Sequence, residues 1–503
     1  MTTHRVAKKE SWWRSFTGGL NDLSFGERYP TILGLFWPEL ITAFLAVSVL
    51  SWIDGMMIGH LQSTAMYATA GVTNTFFHFL LKTAEGLSVG TVILCGQYNG
   101  VQRYKEVGQS AISAFWVTVV VGGLVATCLY AGAYTIYHDF FHVPDEMVAL
   151  GVSVLRIRAI GIFFLFVYYA LIGFLRGIKN TFLPMAFFLL GGACYIFFDY
   201  ALIFGAFGFP EMGFQGSALA WVLQYAVMLF AVLAYIFTDN RMRKYSLSLL
   251  TGFSWRSSFE IIKLSWPVTL DKAILAGSKM WLVCLISPIG QVALASFGVI
   301  REMEQFAFVP AIAFAQVITL LVSNDFGKCN WQGIRSNTKK IMCLAALFVL
   351  VILLAFSLFP EKIIGLFDRK GSFVHFAAVA FPILAILAIL DLLQVILAGA
   401  LRGAANVRVV MLTRLIACLG LFVPLSYGFS LLPIENGLVK FLLIYSSFYL
   451  MDGVIGLTYI LWFRHGSWKK VADVQHHARV PDGTHNGKGT DESCPISKDS
   501  PGF

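Results

Sequence analysis

The sequence predicts an all-α membrane protein with twelve transmembrane helices, arranged as two six-helix bundles related by a pseudo-two-fold axis along the membrane normal. Of its 503 residues, 57% are hydrophobic and only 13% are charged, which lies outside the balance of soluble globular chains. About twelve apolar runs are long enough to cross roughly 30 Å of hydrocarbon. The motif Leu-Arg-Gly-x-x-Asn occurs twice, at 175–180 and 401–406, as expected of a duplicated unit.

Each apolar run is expected to be a helix, because unpaired backbone groups are too costly in lipid and barrel strands would instead alternate over about ten residues. No cleaved signal peptide is expected, since the first 30 residues are basic and lack an apolar core followed by a cleavage site. The predicted spans are 32–53, 66–95, 110–137, 148–174, 182–205, 214–237, 258–286, 291–322, 341–360, 373–399, 409–430 and 438–463.

The basic residues predict the topology. Most of the 37 Lys and Arg residues fall in the N-terminal segment, in every second connection and in the C-terminal tail, which predicts a multi-pass protein of the cell membrane with both termini in the cytoplasm. The connection at 361–370 is the exception, because it lies on the predicted outer side and yet contains Lys362, Arg369 and Lys370. The net charge of +9 thus follows from topology, and no nucleic-acid partner is expected. The predicted regions are a cytoplasmic segment (1–30), an N lobe (31–237), a linker (238–257), a C lobe (258–463) and a disordered cytoplasmic tail (464–503).

Other landmarks recur at nearly the same offset as the motif. They are Trp37-Pro38 with Trp266-Pro267, Gly71-Val72 with Gly298-Val299, and Gln97-x-x-Gly100 with Asn324-x-x-Gly327. Six spans per unit is an even number, so both halves enter the membrane from the same side and enclose a cavity between them. A transporter uses this design, because rocking one half against the other exposes the cavity to alternate faces.

The Leu-Arg-Gly-x-x-Asn motif is predicted to be a structural hinge or anchor at the cytoplasmic end of the fourth span of each half. Its arginines are expected among lipid phosphates or hydrogen-bonded to carbonyl groups of the next loop. Its glycines are expected to allow a tight chain reversal, and its asparagines suit a turn. Direct contact with substrate is the alternative. The residues are Arg176, Gly177, Asn180, Arg402, Gly403 and Asn406.

The chain resembles the multidrug and toxic compound extrusion (MATE) transporters of the MOP flippase superfamily over roughly residues 30–463. The resemblance implies export of organic, often cationic compounds in exchange for Na⁺ or H⁺, with no other cofactor and by a monomer in the lipid bilayer. The stretches that carry it are WIDGMMIGHL at 52–61, EGLSVGTVILCGQYNG at 85–100, LRGIKNTFLP at 175–184, FFDYALIFGAFGFPEMGFQGSALA at 197–220, and DLLQVILAGALRG at 391–403.

Ionisable residues within spans are functional candidates, because a charge there costs several kcal/mol. The resemblance implies that Asp54 binds protons or Na⁺, whereas a solvated Asp at a helix end is the alternative. Asp199 lies in the fifth span. The family usually places an Asn four residues earlier, where this chain has Tyr195. A Na⁺ ion at Asp54 and Asp199 is the one metal site considered.

In the second half, Asp391 has the spacing of the family's tenth-helix Asp, which is implied in cation binding. The Glu that accompanies it in the seventh helix is missing, since Leu275 occupies the matching position, with Asp271 one turn away. In the eighth span, Arg301 is expected to form an ion pair with Asp391, and Glu302 adds further charge. Structural ion pairing is the alternative for this whole set.

Two alternatives to drug export remain at this stage. One is a flippase for lipid-linked precursors or a polysaccharide exporter built on the same duplicated bundle. The other is a membrane-embedded enzyme acting on lipid, for which the sequence offers no convincing catalytic constellation. ATP-driven transport is not expected, because the chain has no G-x-x-x-x-G-K-[ST] motif.

Overall fold

The computed structural model describes residues 26–60, 64–140, 144–248, 252–365 and 373–469. Over these ranges the chain forms twelve long helices and no strands. The helices are α1 (Tyr29–Phe44, continued by a π turn Leu45–Val49 and by Leu50–Gly59), α2 (Thr64–Gly100), α3 (Tyr104–Ala131, followed by Ala133–Thr135 and Ile136–Phe140), α4 (Asp145–Gly177), α5 (Phe182–Phe204), α6 (Phe214–Thr238), α7 (Trp255–Ile286), α8 (Gln291–Gly327), α9 (Trp331–Leu358, followed by Pro360–Ile364), α10 (Val374–Gly403), α11 (Val407–Ala417, Cys418–Phe422 and Val423–Leu431) and α12 (Gly437–His465).

The twelve predicted spans coincide one by one with these helices. Ten of the helices in the described ranges are long and apolar enough to cross a membrane, and α1 and α2 complete the set of twelve. Several helices are longer than predicted: the run at 66–95 lies within Thr64–Gly100 and the run at 291–322 within Gln291–Gly327. Residues 1–25 and 470–503, and the basic pair Arg369 and Lys370, lie outside the described residues.

The helix contacts repeat from one half to the other. α2 packs on α4, α3 on α4, α4 on α6 and α5 on α6, and the same pairs recur in the second half as α8 with α10, α9 with α10, α10 with α12 and α11 with α12. Since the two sets have the same order and each contains an even number of helices, the two lobes have the same orientation. This confirms two six-helix bundles related by a pseudo-two-fold axis along the membrane normal.

The first helix of each half divides its contacts between both lobes. Near its beginning, α1 packs on α8, where Phe36 stacks on Phe314 with ring centroids 3.9 Å apart. Reciprocally, α7 packs on α2: a Cβ added at Gly86 would lie 2.3 Å from Thr269 Oγ1. Toward their far ends both helices turn to their own lobes, and Trp281 of α7 donates a hydrogen bond to Ser426 of α11 at 3.0 Å.

The recurring Gln/Asn-x-x-Gly landmark forms the crossing between the lobes. This crossing is on the terminal face, defined as the face on which α1 begins and α12 ends. A Cβ added at Gly100 would lie 2.1 Å from the carbonyl oxygen of Asn324, and one at Gly327 would lie 2.1 Å from that of Gln97. Asn99 also donates to Asn324 at 2.8 Å. The two lobes are therefore in direct backbone contact at this face, and only glycine fits.

Candidate functional site

Two of the predicted acids are close together inside the N lobe. Ser217 of α6 donates a hydrogen bond to Asp54 Oδ1 of α1 at 2.6 Å, and both side chains are buried. Asp199 of α5 is 0% exposed, and among the described residues neither of its carboxylate oxygens makes a hydrogen bond within 3.5 Å, although the Ser217 hydroxyl is close to it. Tyr195 is buried one turn before Asp199. Asp54 is close enough to Asp199 for the two carboxylates to interact electrostatically.

Arg158 of α4 completes this cluster and was not predicted to belong to it. It is 3% exposed and donates to Asn74 Oδ1 at 2.7 Å. Its guanidinium lies 5.4 Å from the ring centroid of Phe77 and 5.8 Å from that of Trp221, where cation–π attraction replaces part of its lost hydration. Its position well inside the fourth span was a usable signal.

The N-lobe cluster, defined as Asp54, Asp199 and Arg158, holds two acids and one base. Ionisation of all three would leave one buried negative charge, which is unfavourable unless a proton or a monovalent cation balances it. Asp199 has the free oxygen atoms to receive either ion. The donors present, two carboxylates with a hydroxyl on Ser217, suit Na⁺ as well as H⁺.

In the C lobe, Asp271 of α7 is held by two arginines. Arg402 of α10 donates to its Oδ2 at 2.5 Å, and Arg414 of α11 donates to its Oδ1 at 2.5 Å. Both carboxylate oxygens are thus occupied, so Asp271 is not free to bind a cation in this arrangement. Arg414 was not among the residues predicted from the sequence, yet it contacts Asp271, Gln394 and Asp452.

A chain of contacts extends from Arg414 to two further acids. Arg414 Nη2 donates to Gln394 Oε1 at 2.8 Å, and Gln394 Nε2 donates to Asp391 Oδ1 at 3.0 Å. On the other side, Arg414 Nη1 lies 3.7 Å from Asp452 Oδ1 of α12. Asp391 is therefore linked to Asp271 through two intervening side chains.

The predicted ion pair between Arg301 and Asp391 is wrong. Arg301 instead contacts its neighbour Glu302 at 3.4 Å, and the two side chains are 44% and 47% exposed. Glu304, two positions further along α8, turns toward α12, where it accepts hydrogen bonds from Tyr445 at 2.5 Å and from Tyr449. Because successive helical residues point about 100° apart, a shift of two positions along α8 decides which acid turns inward.

The arginines of the repeated motif bind carboxylates of other helices, whereas lipid phosphates or loop carbonyls were predicted as their partners. Arg176 binds Glu39 of α1 through two parallel hydrogen bonds of 2.7 Å, from Nε and Nη2. Arg402 binds Asp271 of α7. Each motif therefore joins the fourth helix of its half to the first helix, which supports the anchor interpretation through an ion pair. The carboxylates had not been assigned as partners because they lie 137 and 131 residues away.

The glycines of the motif serve helix packing, and the prediction that they form the reversal is wrong. A Cβ added at Gly177 would lie 2.8 Å from Cys95 Cβ, and one at Gly403 would lie 2.7 Å from the carbonyl oxygen of Thr319. The left-handed residues of the two turns are Lys179 and Ala405, with φ of 64° and 59°.

The asparagines lie in the turns, as predicted. Asn180 accepts a hydrogen bond from the backbone N–H of Leu183 at 3.1 Å. Asn406 donates to the carbonyl oxygens of Ala404 and Trp468 at 2.8 and 3.0 Å.

One ion pair connects the two lobes between α2 and α7. Lys82 donates to Glu85 Oε1 at 3.1 Å within α2. Lys272 of α7 also donates to Glu85, at Oε2 and 2.5 Å. Glu85 and Lys272 are 21% and 15% exposed, against 50% for Lys82, so the bond between the lobes is the better shielded of the two.

The duplication seen in the helix packing is also present in the family comparison. The model of the MatE family matches the chain twice, over residues 40–201 and 267–428. The chain belongs to the MatE family. Each match lies within one lobe, so this MatE protein carries two copies of the family unit.

Relatives and solved structures agree with this assignment. A probable multidrug resistance protein NorM from Rhizobium meliloti is 27% identical over 408 residues, covering 78% of this chain and 85% of the relative. One from Thermotoga maritima is 24% identical over 447 residues, covering 86% and 93%. A crystal structure of a MATE in the straight conformation has a TM-score of 0.79 at 18% identity, covering 90% of this chain and 99% of that one.

An outward-facing multidrug resistance MATE family transporter matches with a TM-score of 0.80 at 18% identity and the same coverage. The fold is therefore that of the MATE structures, twelve helices in two bundles. Because the family consists of transporters, this MatE protein is a membrane transporter and the membrane-enzyme alternative is set aside.

Proposed function

We propose that this MatE protein exports organic cations across the cell membrane by antiport with H⁺ or Na⁺, through alternating access between its two lobes. The observation that carries the proposal is the N-lobe cluster. Asp199 is fully buried, makes no hydrogen bond within 3.5 Å among the described residues, and lies beside Asp54 and Ser217. Because no hydrogen bond holds the carboxylate of Asp199, a coupling ion can bind there and leave again.

Competition at that cluster would produce exchange. A carboxylate in a closing cavity must be neutralised, either by the coupling ion or by a cationic substrate. If both compete for Asp54 and Asp199, binding of one requires release of the other, which is antiport. One elementary charge crossing about 100 mV contributes about 2.3 kcal/mol, enough to concentrate a substrate appreciably without ATP.

The contacts between the lobes suit a conformation closed at the terminal face. The crossing of Gly100 and Gly327 and the bond from Asn99 to Asn324 join the lobes there. We assign the terminal face to the cytoplasm because its connections carry the basic residues. In the opposite conformation these contacts would separate and admit substrate from the cytoplasm. The names of the NorM relatives, multidrug resistance proteins, support a range of small-molecule substrates. We propose a monomer as the working unit.

Uptake of a fluorescent organic cation into inverted vesicles tests the proposal. Vesicles that contain the wild-type chain should accumulate the dye when a proton or Na⁺ gradient is imposed, and the gradient that works identifies the coupling ion. Asp54→Asn should abolish this accumulation, because it removes one of the two carboxylates for which the coupling ion and the substrate compete. Asp239→Asn, at an acid in the connection beyond α6, is the control and should transport normally. Transport that survives in Asp54→Asn contradicts the proposal.

A further inference from the structure

The C-lobe cluster, defined as Asp271, Asp391, Asp452, Arg402 and Arg414, contains one acid in excess. Its three carboxylates and two guanidiniums sum to a charge of −1 when all are ionised. Glu304 and Lys279 lie at the edge of the cluster, where Glu304 interacts electrostatically with Asp391 and Lys279 with Asp452. They contribute one charge of each sign and leave the sum unchanged. A buried cluster with an uncompensated negative charge is unfavourable in a membrane.

Asp452 is the acid whose ionised form the structure does not support. It is 0% exposed, and neither carboxylate oxygen has a hydrogen-bond partner in the described part of the chain. By contrast, Asp271 accepts two hydrogen bonds from arginines and Asp391 accepts one from Gln394. Leaving a buried carboxylate charged with no hydrogen bond costs several kcal/mol, whereas protonating it removes the charge.

Helix packing places Asp452 close to the other members of this cluster. The next residue, Gly453, lies against α10, where an added Cβ would be 3.1 Å from Leu390, the residue before Asp391. The one cationic atom near Asp452 in the described contacts is Arg414 Nη1, at 3.7 Å, and that atom donates no hydrogen bond among the described residues. Both groups point toward each other without making a full contact.

We propose that Asp452 binds a proton that is exchanged during the transport cycle, which gives the C lobe its own proton site on α12. The role of this site in the transport cycle rests on the proposed function, whereas the binding of a proton by Asp452 does not.

Release of this proton would change the contacts of Arg414. The ionised carboxylate of Asp452 would attract Nη1 across the present 3.7 Å, and the same guanidinium would loosen its bond to Asp271. Since Asp271 is on α7, Arg414 on α11 and Asp452 on α12, one proton would alter how three helices of the C lobe are joined. The charged and titratable groups around Asp452 are Asp391 on α10, Arg414 on α11, Lys279 and Asp271 on α7, and Tyr459 on α12.

Infrared difference spectroscopy of the purified full chain in detergent, with isotope-labelled aspartate, tests the site without a transport assay. Stepping from about pH 5 to about pH 9 should remove the carbonyl band of a protonated aspartic acid in the wild type. Asp452→Asn should lose one such band, and Asp239→Asn should keep all of them. A spectrum of Asp452→Asn identical to that of the wild type would overturn the proposal.

A second variant guards against misfolding and separates the two lobes. Combining Asp54→Asn with Asp199→Asn removes the N-lobe acids and leaves α12 untouched, so the C-lobe band should persist; its absence there would also overturn the proposal. Adding NaCl in place of choline chloride at constant pH should leave the band unchanged, and a sodium-specific loss would show a metal-cation site instead. Because no transport is measured, failure of the export function and failure of this site are distinguishable.

Discussion

Arg414 donates from Nε to Asp271 Oδ1 at 2.5 Å, and both side chains are only 2% exposed. This buried pair joins α11 to α7 across 143 residues of sequence. Its burial makes the two groups dependent on each other, because either one alone would be an unpaired charge in a low-dielectric interior. The pair also occupies the α7 acid, which leaves Asp391 and Asp452 as the acids of the C-lobe cluster with capacity for an ion.

Arg414→Ala is expected to destabilise the protein by about 3–5 kcal/mol, because Asp271 would lose one of its two partners and Gln394 its donor. Thermal unfolding in detergent measures the change. Arg256→Ala is the control, since its pair with Glu260 is largely exposed and such pairs contribute about 0–1 kcal/mol. Equal melting temperatures for the two variants would show that the cluster is not a structural element.

Arg176→Lys is expected to lower the melting temperature although the charge is kept. A lysine ammonium cannot reproduce the two parallel hydrogen bonds from Nε and Nη2 to Glu39. A melting curve of the detergent-solubilised variant checks this, with Arg156→Lys as the control at an exposed arginine of the same helix. If Arg176→Lys melts like the wild type, the anchor role depends on charge alone.

Gly327→Ala is expected to abolish transport while leaving insertion intact, because a Cβ there would lie 2.1 Å from the backbone oxygen of Gln97 and would keep the lobes apart at the terminal face. Vesicle uptake and the amount of protein in the membrane are measured together. Gly123→Ala is the control, since no atom lies within 4 Å of its added Cβ. Normal uptake by Gly327→Ala would mean that this close approach is not needed in the cycle.

Glu85→Gln is expected to weaken the bond between the lobes and to shift the protein toward the conformation open at the terminal face. Labelling of a cysteine introduced at Asn99 should become faster, because Asn99 lies in the crossing between the lobes. Lys272→Met should have the same effect, and the double variant should be no faster than either single one. Lys82→Met is the matched control, since Lys82 bonds to Glu85 within α2. Additive effects of Glu85→Gln and Lys272→Met would contradict a direct bond between them.

The sequence determined the number and order of the helices and their division into two units, because apolar length and a recurring motif are local properties that do not depend on packing. It also singled out Asp54, Asp199, Asp271 and Asp391 as candidates, since an ionisable residue in an apolar run can be recognised from the sequence alone. The placement of the Leu-Arg-Gly-x-x-Asn motif at the end of the fourth helix of each half was correct for the same reason.

Only the tertiary structure decided which charges meet. Glu304 faces the cluster and Glu302 does not, although they are two positions apart, because the rotation of α8 about its own axis is fixed by its neighbours. Arg158 meets Asn74, 84 residues away, and Arg414 meets Asp271, because helices distant in sequence are adjacent in the bundle. In an apolar segment of nearly uniform composition, side-chain packing sets helix rotation, and that information lies between helices, outside any single one.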